Sequence, residues 1–160
     1  MSDRARPLEL LLQLLVREEA ALLTLVELAG REQAALVSSD YAAIEQVANQ
    51  MQVSANALEA LEREREMLME ALGAPGASLA DVAELAARAG IAGVMDARDR
   101  LLAGAGALRE VQEGNARLIL SAARLRERWF TLLAGLTAST YGSEGRQALQ
   151  QVRKVVSKSA

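Results

Sequence analysis

The chain has 160 residues, 51% hydrophobic and 24% charged, enough length and apolar content for one folded domain with a core of its own. Histidine and cysteine are absent, which excludes histidine-assisted nucleophiles, thiolates, disulfides and ordinary zinc sites. A net charge of −3 and a pI of about 5.2 argue against general nucleic-acid binding, which requires a basic face.

Tyr41, Trp129, Phe130 and Tyr141 are the only aromatic residues, and a core of alanine and leucine suits helices better than sheets. Leu8, Leu15, Leu22, Ala29 and Leu36 recur every seven residues, with Leu11, Leu12, Leu25 and Val26 widening the stripe. Residues 8–36 are therefore expected to form a helix about 43 Å long. This leucine-rich start follows two arginines, as a signal peptide would. Glu9 and Gln13 interrupt it, however, and Arg17, Glu18 and Glu19 stand where cleavage would occur, so it reads as a helix rather than an address. No run approaches the roughly 18 apolar residues that span a bilayer.

Ser38, Ser39 and Asp40 offer capping side chains. A second series follows, Ile44, Met51, Leu58 and Leu72, with Val47, Leu61 and Leu68 offset from it; the short connection makes this helix antiparallel to the first. Ser54 and Arg65 interrupt its stripe. The arginine either runs its stem over the edge of the core or meets a polar partner. Gly73 and Pro75 break the chain. Ser78 with Asp81 three residues later then has the pattern of an N-cap, opening a short helix that carries Leu79, Val82 and Leu85 toward Gly90.

After a weaker break at residues 91–93 comes the longest pattern. Val94, Leu101, Leu108, Asn115, Ala122, Trp129 and Leu136 hold one heptad position, and Ala97, Gly104, Val111, Leu118, Leu125 and Leu132 the other. Gly104, Gly106 and Gly114 each weaken a helix by about 1 kcal/mol relative to alanine; they mark either a close approach of another backbone or a hinge. The last twenty residues are different in character. Arg146, Arg153, Lys154 and Lys158 against Glu144 give them a charge of +3, leaving −6 on the preceding 140. Leu149, Val152 and Val156 would make a weakly amphipathic helix there, and so short a segment is expected to be mobile when free.

Glu18 with Glu19, the series Glu62, Glu64 and Glu66, and Asp96 with Asp99 are interleaved with arginines and read as solvated faces with ion pairs between successive turns. Asn115, an amide in an apolar stripe, is a candidate for fixing register or partner choice, or else a satisfied bundle amide. Trp129 is expected in the core, and its neighbour Phe130 is a candidate exposed anchor. No residue set supports a catalytic, metal or cofactor site, so an enzyme is not expected.

Three short segments resemble a known family. Residues 108–119, with Asn115, Leu118 and Ile119, are similar to the Asn-x-x-Leu-Ile/Leu stretch of FlgN-type flagellar export chaperones. Tyr141, Gly142 and Gly145 resemble that family's Tyr-Gly-x-x-Gly turn, and residues 58–65 resemble its second helix. The resemblance implies a cytoplasmic, non-enzymatic chaperone of flagellar type III export, without cofactor, that binds hook-filament junction (hook-associated) proteins and delivers them to the export gate. It implies client contacts at Leu149, Val152, Val155 and Val156, gate docking at Tyr141, no nucleic acid, no membrane insertion, and a monomer or weak dimer. The expected fold is all-α: an antiparallel bundle of three long helices with one short inserted helix, spanning residues 1–140, followed by a flexible, basic client-binding tail at 141–160. A homo-oligomeric coiled-coil scaffold is the main alternative, and a helical coat of lipid or polymer granules a further one.

Overall fold

A computed structural model describes the backbone of residues 2–157 and the side chains of residues 4–136. Four helices follow one another: α1 (Ser2–Ser38), α2 (Tyr41–Ala71), α3 (Leu79–Arg88) and α4 (Val94–Ser157), with no strand among the described residues. The chain divides into two compact units, Met1–Ala116 and Arg117–Ala160. The first ends inside the stretch 1–140 that the heptads suggest as one bundle, and α4 continues as helix through residues 141–157.

α1 begins six residues before the expected start and contains Pro7. A proline this close to a helix start removes one amide donor from the ladder, which the remaining turns of α1 outweigh. At its other end Ser39 takes a left-handed φ of 55°, and Asp40 caps α2 by accepting from the Ala43 amide at 3.1 Å. The expected capping box of α3 is present. The Asp81 amide donates to Ser78 Oγ and the Ser78 amide to Asp81 Oδ2, each at 3.2 Å.

Cross-helix contacts define the first unit. Arg17 and Glu18 of α1 meet Glu64 and Arg65 of α2, Leu28 lies beside Val53 and Ala35 beside Val47, so α1 and α2 run antiparallel. Leu12 lies against Gly93, Glu19 against Arg100, Leu22 against Gly104 and Ala29 against Asn115; α1 and α4 therefore run parallel, and α3 is inserted in the connection between α2 and α4. Leu8, Leu11, Leu15 and Leu22 of α1 form one core with Met69, Leu72, Val82, Ala86, Val94, Ala97 and Leu101. Burying each such leucine is worth about 1.5–3 kcal/mol relative to exposing it. The stripe written by the α1 heptads is thus the stripe that is buried.

Two polar contacts interrupt this core. Glu18 is buried, its side chain 3% exposed, and it faces Arg65 of α2 at 3.4 Å. Its second oxygen, Oε1, has no hydrogen-bond partner among the described residues. Burial pushes its carboxyl above the ordinary range, Arg65 pulls it back, and Glu62 adds to the rise. Neither Glu18 nor Glu19 belongs to a solvated face with pairs between successive turns. They turn to different helices, Glu18 to Arg65 and Glu19 to Arg100 of α4 at 2.9 Å. Pairing between successive turns does occur elsewhere, as in Arg31 with Glu27, Arg63 with Glu59 and Arg109 with Glu113.

Asn115 forms the second polar contact. Its Nδ2 donates to the Ala29 carbonyl at 3.0 Å and to Glu32 Oε2 at 2.8 Å, tying α4 to the last turns of α1. Glu32 is six residues from Ser38, under two helical turns from the end of α1. The first unit closes one residue past this amide, at Ala116.

Candidate functional site

In the first unit the α4 seam is filled: Val94, Ala97, Leu101 and Gly104 are buried against their neighbours. Gly104 is buried against α1, and a Cβ placed there would stand 3.6 Å from Leu22 Cβ, an ordinary packing distance.

The second unit carries the same seven-residue series without burying it. Ala122, Leu125, Trp129, Leu132 and Leu136 are all exposed, Trp129 by 58%. The expectation of a core Trp129 is therefore wrong, and the physical reason is simple. A heptad specifies a surface that another helix can cover, and it does not supply that helix. Phe130 is half-buried, and Trp129 is the more exposed of the two.

Charge singles out this segment further. Residues 117–136 hold Arg117, Arg124, Arg126 and Arg128 against one acid, Glu127, and the whole second unit carries +6 while the first carries −9. Arg124, Glu127, Arg128, Thr131 and Leu132 line a shallow groove along the helix, two arginines against one acid. At about 100° per residue, Arg117, Arg124 and Arg128 fall on one flank of the seam and Arg126 on the other. The arrangement offers an apolar strip between basic borders, suited to receiving an amphipathic helix.

Of the other sequence candidates, Asn115 lies in the first unit as a bundle amide joining α1 and α4. Tyr141, Leu149, Val152, Val155 and Val156 belong to the helical span of α4, but their side chains lie outside the described residues. Among the described residues there is no cluster of acids able to hold a metal ion, and no helix long and apolar enough to cross a membrane.

Fold and site together define an all-α bundle protein with an open, basic-bordered heptad seam. A family model described as FlgN protein matches residues 7–148, and the chain belongs to the FlgN family. No curated protein and no solved structure matches it. FlgN is a chaperone family, and membership supports a general role as a flagellar export chaperone.

Proposed function

We propose that the chain is a cytoplasmic chaperone that captures flagellar hook-filament junction proteins through the C-terminal part of α4 and delivers them to the export gate. The observation that carries this reading is the exposed seam of Leu125, Trp129 and Leu132 in a chain of this family. An export client must be held with its helical terminus covered and then released. A single helix face with a polar border favours such reversible binding, because the bound segment loses chain entropy on ordering and only the surplus appears as affinity. Leu149, Val152, Val155 and Val156 extend the client surface along the same helix, and Tyr141 docks at the gate. Both assignments rest on the family resemblance.

Co-purification with the junction proteins of the same source tests the proposal, using the full chain and a truncation after Gly145. The full chain is expected to capture a junction protein, and the truncation, which keeps Leu125, Trp129 and Leu132 but loses Leu149, Val152, Val155 and Val156, to capture it more weakly. Equal capture by both would move the client site off the tail and onto residues 118–136. No capture by the full chain would overturn the proposal.

A further inference from the structure

The filled and open parts of the α4 seam share one register, and this allows the missing partner to be described. Arg100 stands immediately before Leu101, which is buried, and its Nε donates to Glu19 of α1 at 2.9 Å. Four heptads later Arg128 stands immediately before Trp129, which is exposed. Ala97 and Gly104 have Leu125 and Leu132 as their equivalents. Where α1 supplies Glu19 to Arg100, nothing in the described residues supplies a carboxylate to Arg128.

We propose that Arg126 and Arg128 are charge-selecting residues, and that the seam of Leu125, Trp129 and Leu132 takes one amphipathic helix whose apolar stripe is bordered by Asp or Glu. The inference rests on the reading of the second unit as the capture surface and adds the chemistry of the captured segment. Residues 118–132 rise about 21 Å, so a partner of roughly four turns covers the seam. One of its carboxylates meets Arg128 as Glu19 meets Arg100, and another meets Arg126 across the strip. Residues flanking a heptad seam set partner choice in this way.

Charge argues against a second copy, which would bring the same arginines, with Glu127 as the only acid between residues 117 and 136, against themselves. Arginines beside an apolar face also suit an anionic lipid surface; the four-heptad match of Arg128 to Arg100, which meets a carboxylate on a neighbouring helix, favours a helix as the occupant.

The test uses the full chain and two synthetic helical peptides of about twenty residues, identical in their leucine stripe and bordered by Glu in one and Lys in the other. Trp129 is the only tryptophan, so its emission reports coverage of the seam directly. The Glu-bordered peptide is expected to shift that emission to the blue and to bind at least about tenfold tighter than the Lys-bordered one, with the gap closing as salt rises. In the double variant Arg126→Glu/Arg128→Glu the preference should reverse while helicity is unchanged. Equal binding of both peptides, or binding of neither, overturns the inference. A larger shift with anionic phospholipid vesicles than with either peptide overturns it in favour of a membrane surface, and concentration-dependent burial of Trp129 without peptide overturns it in favour of a second copy. Capture of a junction protein that the double variant retains in full would refute the charge selection and leave the proposed function standing. Selection of the Glu-bordered peptide with no capture of any junction protein would do the reverse.

Discussion

Replacing Arg65 with methionine probes the polar contact inside the bundle. The substitution keeps the volume of the stem and removes the cation facing Glu18. Breaking a buried ion pair by removing one partner typically costs about 3–5 kcal/mol, because the other charge is left uncompensated. Arg65 is 25% exposed and the contact is 3.4 Å long, so the lower value of about 2–3 kcal/mol is expected at neutral pH, or roughly 5–10 °C in Tm for a chain of this size. The sign of the pH dependence follows from Glu18. Its carboxyl is raised in the fold, so its favourable contribution is fully present below the unfolded value of 4.5 and is lost as pH rises through the raised native value. Without Arg65 that native value rises further. The destabilisation should therefore be nearly absent below 4.5, where the carboxyl is neutral, and grow as pH rises through the raised native values. Replacing both partners, Glu18→Leu with Arg65→Met, should restore stability to that of the unmodified chain or above. Thermal and urea denaturation followed by far-UV circular dichroism measures all of these. A loss under about 0.5 kcal/mol at pH 7, the size of an ordinary surface substitution, would refute the reasoning. So would a double variant as unstable as Arg65→Met alone.

Four further outcomes are expected from the same denaturation assay. Gly104→Ala should stabilise by up to about 1 kcal/mol, since the added methyl meets Leu22 at ordinary contact distance and alanine favours the helix. Gly93→Ala should instead destabilise by about 1–2 kcal/mol, because Gly93 adopts a φ of +95°. Ser78→Ala should cost about 1 kcal/mol by removing the capping box of α3. Asn115→Leu should leave stability within about 1.5 kcal/mol of the unmodified chain, since an apolar residue replaces an amide whose Oδ1 has no partner among the described residues; light scattering should then detect any loss of register as self-association.

Much of the fold is legible in the sequence because its signals are local. The seven-residue series of α1 predicts its buried face, and Ser78 with Asp81 predicts the start of α3 from the chemistry of two side chains. What was not legible depends on partners distant in the chain. Glu18 looks like any solvated helical acid until α2 places Arg65 beside it, and Asn115 is ambiguous until α1 brings Ala29 and Glu32 within reach. The open seam is the clearest case. Leu101 and Trp129 occupy the same heptad position, yet one is buried and the other exposed, because a heptad specifies a coverable face without supplying the helix that covers it. Neighbouring helices, not the heptad, decide which part of a seam is core and which part is left for another molecule.

The most direct single measurement titrates a purified hook-filament junction protein of the same source into the full chain and follows the emission of Trp129. A saturable blue shift, with the two proteins eluting together in size exclusion, is the result expected of a chaperone that captures its client on the second unit of α4. Unchanged emission, with the two proteins eluting separately, would contradict capture at this seam.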